Sequence, residues 1–250
     1  MSYKIDYCYT CHIGQCRKEN QDNFFANGVF LTPETDAIGR IECGSAKTSA
    51  APVFAVFDGM GGEERGEMAA YIATKMLSNF AFSKNVKNDL ICFCKQANER
   101  ICQYTNENEL SSMGTTAAIL KFAKDRIYLC NIGDSKIFRF SKGTLQQLSF
   151  DHVCPSESQE KPPLSQNLGI PESETVISPY IATADYQVGD LYLICSDGLT
   201  DMVTLSEIED LFISEKEHAA EPLLRLALEN GGRDNITLIL LHVKKKKLFF

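Results

Sequence analysis

Short apolar runs bounded by turn residues recur along the chain, at Tyr3–His12, Phe24–Leu31, Val53–Phe57, Thr116–Phe122, Arg126–Ile132, Lys136–Phe140, Gln146–Leu148, Leu191–Cys195 and Ile236–Val243. They are rich in Val, Ile, Phe, Tyr and Thr. Such side chains fit a pleated, half-buried surface, so each run predicts a strand. Two stretches keep a different period. Ala69, Ile72, Ala73, Met76 and Phe80, and then Leu90, Cys94, Ala97 and Ile101, recur at steps of three and four. That spacing predicts two amphipathic helices between Val53–Phe57 and Thr116–Phe122. Thr204-Leu-Ser-Glu207 is a capping box that opens another helix. A last helix, including Leu223–Leu228, stops at Gly231-Gly232.

This order lacks the strand–helix alternation of a parallel sheet. Adjacent helices, a run of short strands, then helices and a closing strand give an α+β chain of mainly antiparallel sheets with helices packed outside. Neither an internal repeat nor a low-complexity linker divides it, so residues 1–250 are expected to form a single domain. The Pro-bearing stretch Cys154–Pro163 reads as an exposed loop.

Composition narrows the function classes. A hydrophobic fraction of 44% and a charged fraction of 23% are ordinary for a soluble globular chain. No apolar run reaches the roughly 18 residues of a membrane span. The opening MSYKIDYCYT has no apolar signal core, so a cytoplasmic location is expected. Ten cysteines in that setting point to free thiols rather than a disulfide framework. A net charge of -8, with basic residues bunched only at Lys244–Lys247, argues against a nucleic-acid or membrane partner.

Cys8-Tyr9-Thr10-Cys11-His12, with Cys16 beyond it, has the spacing of a haem or zinc site. Haem attachment normally follows export, which the N-terminus does not suggest. In a strand, residues an odd number apart leave opposite faces, so Cys8 and Cys11 cannot share an ion. A structural role is expected for them. Cys16 is not followed by the Cys-x5-Arg loop of cysteine-dependent phosphatases, nor is any other cysteine.

The acidic residues that stand out lie at the ends of apolar strands. Asp58 is in VFAVFDGMGG, Asp134 in LCNIGDS, Asp197 and Asp201 in LYLICSDGLTD, and Asp234 in GGRDNIT, while Asp22 follows the opening strand. Each alone reads as a turn. Together they carry another meaning, because buried strands place their ends rigidly. Carboxylates gathered at one edge cannot all ionise unaided. An all-oxygen cluster selects magnesium, manganese or calcium over zinc. Gly59 lets the backbone approach closely enough for its carbonyl to join them.

The segments GQCRKENQD, VFAVFDGMGGEERGE, SSMGTTAA, LCNIGDSKIFRF, LSFDH, SQNLG, GDLYLICSDGLTD and GGRDNIT, in that order, resemble the metal-dependent protein serine/threonine phosphatases of the protein phosphatase 2C family. DGMGG looks like the bacterial branch. The resemblance implies a four-layer α-β-β-α sandwich in which two mainly antiparallel sheets are flanked by helices. It implies hydrolysis of phosphoserine and phosphothreonine by direct attack of a metal-activated water, with two Mg2+ or Mn2+ ions.

Carried over by motif, Asp58 bridges the ions, with the Gly59 carbonyl on one and Asp197 and Asp234 on the other. Asp22 lies in an outer shell, and Asp134 and Asp201 join Asp197 in a third, weaker site. Arg17 grips the substrate phosphate. The implied partners are phosphorylated proteins, the substrates of a bacterial Ser/Thr kinase, and the expected state is a monomer.

Three departures from the family pattern stand out. Met60 replaces a histidine proposed as general acid in some relatives, Gln21 stands where some have glutamate, and the flap segment near 152–169 is short. His152 reads as a structural loop residue. The alternative reading is a non-catalytic pseudophosphatase that acts as a binding or regulatory module.

Overall fold

The computed structural model describes residues 3–35, 37–60, 65–155 and 162–245. In chain order the elements are β1 (Tyr3–His12), β2 (Asn23–Ala26), β3 (Ile38–Lys47), β4 (Val53–Phe57), β5 (Gly59–Met60), α1 (Gly66–Asn79), α2 (Val86–Glu107), β6 (Gly114–Thr115), β7 (Ala117–Phe122), β8 (Arg126–Ile132), β9 (Lys136–Ser141), β10 (Thr144–Gln147), β11 (Tyr180–Asp185), β12 (Leu191–Cys195), α3 (Asp197–Thr200), α4 (Leu205–Ser214), α5 (Ala220–Glu229) and β13 (Ile236–Lys245). One sheet has the order β10-β9-β12-β13-β1-β3 and the other β11-β8-β7-β4-β2, and β5 pairs with β6 in a small ribbon. The pairings are antiparallel.

Side-chain alternation divides the interior into three apolar layers. Ile5, Tyr7, Tyr9 and Cys11 of β1 face Phe24, Phe54, Val56 and Leu120 across the gap between the sheets. Phe54 packs edge-on to Tyr7 with ring centroids 4.9 Å apart, the arrangement that the ring quadrupoles favour. On the other side of the five-stranded sheet, Ala55, Phe57 and Ile119 meet Ala69, Ala73, Leu90, Phe93 and Ala97 of α1 and α2. Behind the six-stranded sheet, Leu193, Cys195 and Leu238 meet Ile208, Phe212, Leu223 and Ala227 of α4 and α5. The result is the α-β-β-α stack implied by the resemblance. Strands β4 and β12 are apolar at every position because both of their faces are covered.

The expected capping box is present. Thr204 Oγ1 accepts the Glu207 N–H at 3.3 Å, and the Glu207 carboxylate accepts the Thr204 N–H at 2.8 Å. Two strands, β3 and β11, carry no signal in the hydrophobic pattern. Both lie at sheet edges, where one flank is unpaired and many side chains meet solvent. Strand β2 is shorter than its apolar run, which folds back after Ala26 through an isolated bridge to Val29.

The expectation of free thiols throughout is corrected at one pair. Cys8 and Cys43 form a disulfide. They stand directly opposite one another in the β1–β3 register, with Cα atoms 4.1 Å apart. Without β3 there is no reason to bring them together, so the pairing was invisible in the sequence. The odd-spacing argument holds. Cys11 lies in the layer between the sheets, and Cys8 packs against the layer behind them.

Among the described residues, no helix is long and apolar enough to cross a membrane. Residues 156–161 of the expected flap, Gly61 to Glu64 of the DGMGGEERGE motif, and Lys246 and Lys247 of the basic tail lie outside the described residues.

Phe54 is fully buried between the sheets. Phe54→Ala is expected to lower the free energy of unfolding by about 3–5 kcal/mol, the usual cost of a large core cavity. Urea denaturation measures it, and a loss below about 1 kcal/mol would contradict the placement of the main core.

Candidate active site

Register brings the acidic strand ends to one edge. His12 pairs with Ile236, Cys195 with Leu238, and Lys136 with Cys195, so the end of β1, the β8–β9 turn, the end of β12 and the start of β13 are neighbours. In the other sheet Asn23 pairs with Phe57, which sets Asp22 beside Asp58. Asp22, Asp58, Asp134, Asp197 and Asp234 all flank these strand ends.

Asp58 is fixed through its backbone. Its N–H donates to Thr116 Oγ1 at 3.0 Å, and its carbonyl accepts the Thr116 N–H at 2.9 Å and the Thr115 hydroxyl at 3.0 Å. Thr116 Oγ1 also lies 2.6 Å from Ser135 Oγ, which ties the Asp134 turn to the same anchor. Gly59 follows at a point of close backbone contact. A Cβ there would lie 2.2 Å from the Gln21 carbonyl oxygen and 2.3 Å from that of Gly66, so no larger residue fits.

Asp22 is almost wholly buried. Its Oδ2 accepts the Ser196 hydroxyl at 2.8 Å and the Thr237 hydroxyl at 2.7 Å. Burial pushes its pKa up to about 7. The two hydroxyls offset part of that rise, and the negative charge of Asp234 adds to it. Asp58 is within hydrogen-bonding reach of the same carboxyl.

Asp197 and Asp234 approach through Gly198, whose Cβ position would be 1.9 Å from the Asn235 carbonyl oxygen and 3.3 Å from Asp234 Cβ. The Asp201 N–H donates to the Asp197 carbonyl at 2.7 Å, so Asp201 stands one short turn further on, facing solvent. Arg17 donates to Asp234 Oδ2 at 2.7 Å with about half its side chain exposed.

The sequence-derived residues are thus neighbours at one edge. They are not a closed chelate. Among the described residues, no three acidic, imidazole or thiol side chains converge on a single point. The Ser196 and Thr237 hydroxyls and Asp58 engage the Asp22 carboxyl, and the Arg17 guanidinium engages Asp234. The donor set still suits a hard divalent cation, because it consists of carboxylate oxygens and a backbone carbonyl at a place where negative charge is costly to bury. His152 is buried, and its backbone N–H donates to the Gly133 carbonyl at 3.0 Å.

Reading carboxylates alone missed the residues that hold the site together. Asn235, which is buried, accepts the Gln21 N–H at 2.8 Å through Oδ1 and donates from Nδ2 to the Ile13 and Glu19 carbonyls at 2.9 and 3.0 Å. It clamps the Arg17-bearing loop onto the start of β13. Ser196, Thr237, Thr115 and Thr116 play the anchoring parts described above. Asn235, Thr237 and Ser196 sit inside the same motifs as the aspartates, in RDNIT and CSDG, and that adjacency was the available signal for them.

Two outcomes follow from this geometry. Asn235→Ala removes the partner of one half-buried N–H and two carbonyls and is expected to cost about 1–3 kcal/mol in urea denaturation; a change under about 0.5 kcal/mol would remove its clamping role. Unfolded Asp22 titrates near 3.8 and folded Asp22 near 7, so between those values only the folded state holds the proton. In EDTA, stability is therefore expected to fall as pH rises from about 4 to about 7. The advantage of Asp22→Asn over the wild type grows across that window. Parallel pH profiles for the two proteins would contradict it.

The profile of the family described as Protein phosphatase 2C matches residues 32–224. The chain is 30% identical to the serine/threonine phosphatase stp of Listeria welshimeri, over 91% of each chain. It is 32% identical to the serine/threonine protein phosphatase PstP of Mycobacterium tuberculosis, over 77% of this chain and 40% of that protein. It superposes with a TM-score of 0.77, at 26% identity, on the catalytic domain of PstP in complex with two manganese ions, covering 98% of this chain and 100% of that one.

Proposed function

Because the chain belongs to the protein phosphatase 2C family, we propose that it is a metal-dependent serine/threonine protein phosphatase that hydrolyses phosphoserine and phosphothreonine in phosphorylated proteins. The observation that carries this reading is the acidic edge, where buried Asp22 lies against Asp58 and near Asp234. Asp22, Asp58, Asp134, Asp197 and Asp234 flank neighbouring strand ends there. A non-catalytic binding module would have no need to retain them.

The division of labour follows from residue chemistry. Asp58, the Gly59 carbonyl, Asp197 and Asp234 would hold two divalent ions, with Asp22 behind them. Asp134 and Asp201 would complete a third, weaker site with Asp197. When bound, such ions lower the pKa of water and neutralise charge on phosphate oxygens. Magnesium or manganese suits the oxygen donors.

Arg17 supplies a planar fork for two phosphate oxygens, a geometry lysine does not reproduce. Its partial exposure leaves the guanidinium accessible to a phosphoester while Asp234 orients it. Asp22, held by the Ser196 and Thr237 hydroxyls beside Asp58, would accept hydrogen bonds from water in an outer shell. Met60 has no proton to give, so the leaving oxygen takes one from another group at the edge. Water attacks phosphorus directly, without a phosphoenzyme.

We assign the remaining features by the same reasoning. Residues 1–250 act as one catalytic domain with a short flap near 152–169, as a cytoplasmic monomer that opposes a bacterial Ser/Thr kinase.

Purified protein is expected to hydrolyse p-nitrophenyl phosphate and a phosphothreonine peptide with manganese, and to stop in EDTA. Asp58→Asn and Asp197→Asn should each reduce kcat at least about a hundred-fold, since metal-assisted charge neutralisation supplies several kcal/mol. Their circular dichroism should stay unchanged, and calorimetry should show manganese uptake weakened. Near-wild-type rates in either variant would remove the assignment.

A further inference from the structure

A cavity of about 400 Å³ opens beside the acidic edge. It is bounded by Met60 of β5, the C-terminal part of α2, the Leu110–Gly114 stretch and the Asn167–Glu174 segment, which begins in the last residues of the flap. Met60 is two residues from Asp58. Gly114 precedes Thr115, whose hydroxyl holds the Asp58 carbonyl. The cavity therefore adjoins the backbone that fixes the acidic centre.

Its wall is built rather than incidental. Thr115 and Leu168 exchange two backbone hydrogen bonds of 2.9 Å, so the end of the flap joins the β5–β6 ribbon as a further bridge. Buried Asn98 on α2 receives the N–H groups of Gly169 and Ile170 at 2.7 and 3.1 Å and donates to the Ile170 carbonyl at 2.9 Å. One side chain thus holds both ends of the turn into the cavity wall. A wall pinned in this way presents its groups in fixed positions.

The chemistry of the lining selects its ligand. Met60, Leu110, Met113, Ile170 and Pro171 give it an apolar part, beside the polar side chains of Thr105, Asn106, Ser111, Ser112 and Asn167. Glu174 is the one charged residue among the described lining residues, and no base accompanies it. Glu174 sits at the exposed rim, in a turn closed by its N–H on the Pro171 carbonyl at 2.9 Å. It also faces Cys102. Burial chiefly, and the Glu174 charge in addition, push the Cys102 thiol up. The volume admits one or two side chains and no folded element. A long aliphatic stem ending in a cation matches both features. An acidic side chain would meet Glu174 and a chain of net charge -8.

We propose that this cavity is a substrate subsite for a lysine or arginine that flanks the phosphorylated residue, with its stem on Met60, Ile170 and Pro171 and its cation at Glu174. The proposal rests on the phosphatase reading and names its substrate class: phosphoproteins with a basic residue beside the phosphoresidue.

The test compares phosphothreonine peptides in which Arg, Lys, Ala or Glu is placed in turn at each flanking position. At one position Arg and Lys are expected to raise kcat/KM about two- to five-fold over Ala, the range of a rim ion pair, with Glu below Ala. Glu174→Lys should reverse that order. Glu172→Lys, the same charge change outside the lining, should leave it standing. Turnover of p-nitrophenyl phosphate, which has no flanking residue, should be the same in all three proteins. A flat profile, or an equal shift from both substitutions, overturns the subsite.

A second measurement is independent of turnover. In EDTA, the Met60 and Met113 methyl resonances should move on titration with the favoured Arg peptide and not with its Ala counterpart; no difference between the peptides overturns the proposal. If p-nitrophenyl phosphate is not hydrolysed with manganese at all, the phosphatase reading fails, and the methyl shifts alone decide what the cavity binds.

Discussion

A carboxyl group with almost no solvent contact lies where the two sheets meet, and the arrangement around it depends on keeping it there. Burying Asp22 is costly for its charged form, and the chain answers with the Ser196 and Thr237 hydroxyls on one oxygen and Asp58 close by. A site of this kind holds only if its walls do not move. Strand ends from both sheets supply those walls, and apolar layers on both faces of each sheet fix those ends. The four-layer stack is thus the support that lets negative charge be concentrated at one edge.

The constraint also links distant parts of the chain. Gln21 is bound by Asn235, Asp22 by Thr237, and Arg17 by Asp234, so the second and last strands and the loop after β1 form one unit. None of these contacts is local, and all depend on β1 pairing with β13 along its full length. Glycine is required at the tightest points. Gly59 and Gly198 each bring a backbone within a distance that a side chain would forbid, and each lies beside an aspartate of the site.

The cysteines show how far compartment reasoning reaches. Composition argued for free thiols, and most of the cysteines are free. Cys8 and Cys43 are the exception because an antiparallel pairing places them face to face at the sheet edge. The opening Cys8–His12 motif carries no metal chemistry. Its contribution is structural, with Cys11 inside the core and Cys8 tying β1 to its neighbour.

The sequence by itself determined the central strands, the paired helices, the capped helix after Thr204 and the aspartates worth attention. These depend on local rules: unbroken apolar runs where both faces are buried, a period of three to four on helices, and Asp-Gly at strand ends. It was silent on β3 and β11, because an edge strand has solvent on one flank and need not alternate, and silence on β3 hid the disulfide as well. The anchoring by Asn235, Ser196, Thr237 and the two threonines after Gly114 was decided by tertiary structure alone. A polar side chain gains its role from the unpaired group it meets, and here those groups come from segments far away in the chain. The same holds for the cavity beside Met60, whose described walls come from separate stretches of the chain and whose one charged residue among the described lining residues, Glu174, has no signature in any motif.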